Sequence, residues 1–221
     1  LVYAFFTIAD RFSPSKVFLI SALAGAFFNL GTGLEGNSLS SLIGLRFMTG
    51  FFLAGIYPVG MKIAADYFDK DLGKSLGFLV GALVIGTAFP HLLKDFSGQL
   101  PWKAVIIFIS SIAAFGGLII WLFVPDGPFR KAGSKPDFRA LFKVFKNSKL
   151  RVAAFGYFGH MWELYAFWAF VPMILIAFAE RSPGVDFSVS LLSFFIIGIG
   201  GLACIVGGYI SAKTEVKNTA S

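Results

Sequence analysis

The chain has 221 residues, 57% hydrophobic and 14% charged, with a mean hydropathy of +0.78. So little polar surface cannot cover a soluble globule of this size, and 28 Phe with 17% aromatics exclude disorder. The net charge of +7 would suggest nucleic acid in a soluble protein, but the basic residues sit in short stretches between long apolar runs. That is the pattern of cytoplasmic loops beside anionic lipid, so the expected partner is the bilayer and not nucleic acid. The lone Cys204 excludes an intrachain disulfide framework and a Cys-cluster metal site. No metal or other cofactor is expected. The chain opens on Leu1, shows no signal peptide and reads as a fragment.

A spanning helix needs about 20 mostly apolar residues. In chain order, a truncated apolar end at 1–9 precedes six full-length candidates. They run over 17–34, 39–65, 75–93, 103–124, 152–179 and 188–211. No period-two pattern appears, so the expected fold is all-α, a polytopic membrane helix bundle of six full spans and one partial span. Fifteen of the 19 basic residues fall on one side of this threading, eight of them between Arg130 and Arg151. Lys94, Lys103 and Arg181 fall on the other side, and Arg46 lies within a span. The positive-inside rule therefore places the 125–151 stretch in the cytoplasm.

That stretch is the natural boundary between a 1–124 unit and a 152–221 unit. Pro125-Asp126-Gly127-Pro128 ends the preceding helix, because neither Pro donates a backbone hydrogen bond and Gly favours the position past a helix end. Beyond Pro136, Asp137 can cap a new helix. Phe138, Leu141, Phe142 and Phe145 then recur at helical spacing, which predicts an amphipathic helix lying on the inner membrane surface.

Ionisable groups inside spans are costly and mark function by default. Arg46 lies about two turns from the outer end of its span and can offer an anionic substrate a fixed charge with five donors. His160 and Glu163 are i, i+3 on one helix face and can exchange a proton. Trp162 and Tyr165 lie beside them, placed to line a substrate cavity. Each also has a structural reading: Arg46 held by backbone carbonyls or an acid elsewhere, Glu163 paired with a basic residue outside the fragment, His160 a packing residue. Glycines cluster at 73–86 and 198–208, where close helix approach needs small residues. No H-E-x-x-H, G-x-S-x-G or P-loop pattern occurs, so no enzyme is expected.

Three stretches resemble motifs of the major facilitator superfamily. Ile8-Ala9-Asp10-Arg11-Phe12-Ser13-Pro14-Ser15-Lys16 resembles that family's loop between helices two and three, with Asp10, Arg11 and Lys16 on its acidic and basic positions. Arg46-Phe-Met-Thr-Gly50-Phe-Phe-Leu-Ala54 is similar to its fourth-helix pattern. Gly207-Gly208-Tyr209-Ile210-Ser211-Ala212-Lys213 resembles a repeat of the first motif after helix eight, about 200 residues on, as two homologous halves require. The fifth-helix antiporter pattern is absent, because Gly77-Phe-Leu-Val-Gly81 continues with Ala82-Leu83.

The resemblance implies a partial fold of that family, running from the end of helix two through helix eight. The missing helices would come from the same full-length chain. It implies alternating-access transport of a small solute in the inner or plasma membrane. With the residues above, the expectation is a proton-coupled symporter, Arg46 facing an organic or inorganic anion, His160 and Glu163 handling protons. Asp10, Arg11 and Lys16 would gate the inner side. A membrane-embedded enzyme and a non-transporting sensor are the alternatives.

Overall fold

The computed structural model describes residues 9, 11–68, 72–96, 101–130, 146–182 and 184–213. Seven helices are described: α1 Pro14–Gly31, α2 Leu39–Leu53, α3 Ile56–Tyr67, α4 Leu72–Phe96, α5 Trp102–Phe123, α6 Ser148–Arg181 and α7 Val189–Lys213. No strand occurs among the described residues. With α2 and α3 taken as one broken rod, six helices are long and apolar enough to cross a membrane, as the sequence leads one to expect. The amphipathic helix expected at 137–146 lies almost wholly outside the described residues.

The broken rod has a local cause. Pro58 has no N–H to donate, and its ring opposes the carbonyl of Ala54, four residues earlier. The helix accordingly stops at Leu53, passes through Ala54 and Gly55, and restarts at Ile56. Pro90 and Pro172 sit inside α4 and α6, which continue through them. Three starts are capped by side chains, the third being α7, where the Ser188 hydroxyl accepts from the Leu191 N–H at 3.1 Å. The Ser38 hydroxyl accepts from the Ser41 N–H at 3.2 Å, and Asn147 accepts from the Lys149 N–H at 3.0 Å.

The chain divides into two compact units. The first comprises Leu1–Val80, Gln99–Ser134 and Ile205–Ser221. In it α1 packs against α5, α2 and α3, and Ala9, Val17 and Val59 form a buried cluster with Phe18, Phe51 and Ile63 against it. The second comprises Gly81–Gly98 and Lys135–Cys204, with Trp168, Val171, Ser193 and Ile197 buried.

Small residues set the helix spacing, as expected where lipid is as apolar as the side chains. A Cβ on Gly117 would lie 2.7 Å from the Ala22 Cβ, at the α1–α5 crossing. One on Gly208 would meet the Gly73 carbonyl at 3.0 Å, and one on Gly201 the Gly81 carbonyl at 2.8 Å. Gly50 and Gly86, by contrast, have open space around them. Much apolar surface stays uncovered in both units: Ile43 and Phe115 in the first and Ile174 and Ile199 in the second are all more than 60% exposed.

Gly117→Ala forces Ala22 and α1 aside, and overpacking of this kind costs about 1–3 kcal/mol. The full-length protein with this change is expected to melt several degrees lower in detergent. Gly116→Ala, one residue away with nothing within 4 Å, is expected to leave the melting temperature unchanged or raise it slightly. Static light scattering or tryptophan fluorescence on heating reads both.

Candidate functional site

Arg46 stands about 10 Å along α2 from its first residue, at 1.5 Å of rise per residue. Its Nη1 donates to the Asn29 Oδ1 at 3.0 Å, and the Asn29 Nδ2 donates to the Ser110 Oγ at 2.9 Å. The relay ties α2 to α1 and α1 to α5. Only this orientation of the amide satisfies both contacts, because the flipped form would set an NH2 group against the guanidinium. Ser110 is buried, whereas Arg46 stays exposed to an adjoining cleft.

The cleft has a volume of about 540 Å³ and is lined by Thr32, Glu35, Arg46, Trp102, Lys103 and Ile106 among others. Lys103 forms an ion pair with Glu35 at 2.6 Å. The loop carrying Glu35 is pinned by Asn37, whose Nδ2 donates to the Gly31 and Leu34 carbonyls at 3.0 Å each. Gly36 adopts φ +80°, which lets the loop turn.

His160 and Glu163 lie in the other unit, on α6. They share a hollow of about 480 Å³ with Trp162, Phe167, Phe170 and Ile174, along one face of the helix. Among the described residues, no hydrogen bond joins the two side chains, and both are exposed. Trp162 is 78% exposed within this lining. Tyr165 instead makes an edge contact with the buried Trp168, ring centroids 5.3 Å apart.

Of the three expected gating residues, Asp10 lies outside the described residues. Arg11 and Lys16 are exposed and form no ion pair among the described residues. The contacts at this end run instead through Phe12, Ser13 and the segment after α5. Ser13 Oγ donates to Asp126 Oδ1 at 2.7 Å, and Arg130 pairs with Asp126 and donates to the Phe12 carbonyl. Tyr67 donates to the Pro125 carbonyl at 2.6 Å, and the Phe129 N–H to the Asp66 carbonyl at 3.0 Å. Asp66 is buried and pairs with Lys62 at 2.7 Å, while its Oδ2 has no hydrogen-bond partner among the described residues. Gly127 passes so close to α3 that a Cβ there would collide with the Asp66 carbonyl. The sequence marks Gly127 as a helix terminator, and the packing gives it this second role.

The model of the Major Facilitator Superfamily matches residues 4–220, nearly the whole sequence. The chain belongs to the major facilitator superfamily. Its six long apolar helices are accordingly spans of an integral, multi-pass membrane protein, and its fold is part of that family's bundle.

Similar proteins carry varied transport names. A Bacillus subtilis protein named as a niacin/nicotinamide transporter is 28% identical over 130 residues, which is 57% of this chain and 32% of that protein. An Escherichia coli D-galactonate transporter is 29% identical over 121 residues, 54% of this chain and 28% of that protein. A Candida albicans antiporter of the superfamily is 28% identical over 120 residues, 53% of this chain and 17% of that protein. The matched stretch thus covers a third or less of each relative's length. No solved structure matches significantly.

Sequence reasoning singled out Arg46 but not its partners Asn29 and Ser110. Their signal was available: a neutral polar residue inside an apolar run must find a hydrogen bond. Asn29→Leu leaves the guanidinium and the Ser110 hydroxyl without that partner, at a cost of about 1–3 kcal/mol. A fall of several degrees in the detergent melting temperature is expected. Asn29→Asp keeps an acceptor for Arg46 and should lose less. Equal melting of wild type and Asn29→Leu would show that the relay is not structural.

Proposed function

We propose that the full-length protein is a secondary active transporter that moves a small anionic solute across the inner or plasma membrane. Alternating access coupled to proton symport is the proposed mechanism. Family membership supports transport. The anionic solute rests on one observation above all: a permanent cation, Arg46, sits well inside an apolar span and opens onto a cleft. The substrates named for relatives differ in charge: niacin and D-galactonate are carboxylic acids, nicotinamide is neutral and polyamines are cations, so the anionic reading rests on Arg46.

Proton handling is assigned to Glu163 and His160, one turn apart on α6 and open to the same hollow. A carboxylate and an imidazole are the side chains most often used to pass protons. Trp162 and Tyr165 supply aromatic surface beside them. Symport is preferred to drug–proton antiport because the fifth-helix antiporter pattern breaks at Ala82-Leu83. In this reading residues 1–124 and 152–221 belong to two homologous halves. Residues 125–151 form the cytoplasmic linker, Asp10, Arg11 and Lys16 gate the inner side, and the remaining helices of the full-length chain complete the bundle.

In proteoliposomes carrying the full-length protein, Glu163→Gln is expected to abolish uptake driven by a pH gradient while sparing substrate counterflow. A carboxylic-acid panel including nicotinate and D-galactonate, each with and without the gradient, supplies the assay. Unchanged accumulation by Glu163→Gln would remove this residue from coupling.

A further inference from the structure

The Arg46 cleft contains its own carboxylate. We propose that the Glu35 side chain is a displaceable internal anion, and that a small monocarboxylate replaces it on Lys103 to be captured beside Arg46. The inference deepens the anionic-solute reading and rests on it.

Charge and energetics agree with such an exchange. The cleft holds two cations and one carboxylate, so it has a formal excess of one positive charge with Glu35 in place. The ion pair is short at 2.6 Å, yet its side chains are 39% exposed for Lys103 and 89% exposed for Glu35. An exposed pair of this kind is worth about 1 kcal/mol or less, so an incoming carboxylate can trade places with Glu35 at little cost. Glu35 then moves into water, where it is already nearly immersed.

The geometry confines the movement to the side chain. Asn37, two residues after Glu35, ties back to the backbone before it through the Gly31 and Leu34 carbonyls, and Thr32 caps the end of α1 on the Asn29 carbonyl at 2.6 Å. Asn29 is also the residue that holds Arg46, so the loop and the guanidinium share one anchor. Displacement of Glu35 therefore needs rotamer changes and no refolding of the loop.

The rest of the lining describes the ligand. Trp102, Ile106 and Leu42 provide apolar and aromatic surface next to the two cations. A volume of about 540 Å³ lies within the roughly 300–1,000 Å³ of small-molecule pockets. A single carboxylate on a small apolar or ring-shaped body fits this chemistry. A larger polyanion would leave charges against Ile106 and Leu42.

Benzoate and its uncharged isostere benzamide are the probes, with binding to the purified full-length protein measured by calorimetry at low salt. Wild type is expected to bind benzoate weakly and benzamide not measurably. Glu35→Gln removes the competitor and should tighten benzoate about fivefold, the factor that corresponds to a surface ion pair. Lys103→Gln should weaken it at least as much, and Lys103→Arg should restore it. Melting temperatures of all three variants should match wild type, as befits an exposed pair. Benzoate that binds no variant, equal affinities across the set, or benzamide following benzoate would each overturn the proposal. If these shifts occur but no solute accumulates under any gradient, the transport reading fails and the capture site stands. If Glu163→Gln uncouples uptake but the benzoate affinities do not move, only the capture site fails.

Discussion

A guanidinium about 10 Å along an apolar span needs a polar partner within the protein, and the Arg46–Asn29 hydrogen bond supplies one. Asn29 passes the demand to Ser110, a buried hydroxyl on a third helix. One charged residue thereby fixes the relative placement of α1, α2 and α5. Its remaining donors have no partner among the described residues, and Arg46 lines a cleft. A single residue is thus both a clasp between helices and a charge on offer to a ligand, and the two roles do not compete because they use different nitrogens.

The same constraint explains where polarity collects. Backbone groups are satisfied within helices, so most of each span presents only side-chain hydrocarbon outward. Close helix crossings then depend on missing side chains: Gly117 against Ala22, Gly208 against Gly73, Gly201 against Gly81. Polar contacts gather at the helix ends. At one end of the first unit, Asn37 and the Glu35–Lys103 pair organise the α1–α2 turn. At the other, Asp66, Asp126 and Arg130 fasten the segment after α5 onto the entry to α1 and the exit of α3.

Much of this was legible from residues alone. Long apolar runs and the one-sided distribution of Lys and Arg locate the spans, because hydrocarbon thickness and loop charge are read locally. Arg46, His160 and Glu163 stand out for the same reason, each being an ionisable group in an apolar run. The partners were hidden. Asn29 and Ser110 are 81 residues apart, Glu35 and Lys103 are 68, and Ser13 and Asp126 are 113. No spacing rule pairs residues across such distances. Arg11 and Lys16 draw the eye by charge within the motif, whereas the contacts at that end use the Ser13 hydroxyl, the Phe12 carbonyl and the distant Asp126 and Arg130. The interruption at Ala54–Gly55 follows from Pro58, but an apolar run looks the same whether its helix is broken or whole.

The threading itself is the claim on which the rest depends. Single cysteines at Lys149 and Gly184, the two ends of α6, in an otherwise cysteine-free full-length protein test it directly with a membrane-impermeant maleimide. Both positions are exposed, and nothing lies within 4 Å of where a Cβ at Gly184 would sit. Labelling of Gly184→Cys in intact cells, and of Lys149→Cys only after permeabilisation, is the result expected. Equal labelling of both from one side would mean that α6 does not cross the membrane, and the assignment of Arg46 to hydrocarbon would fall with it.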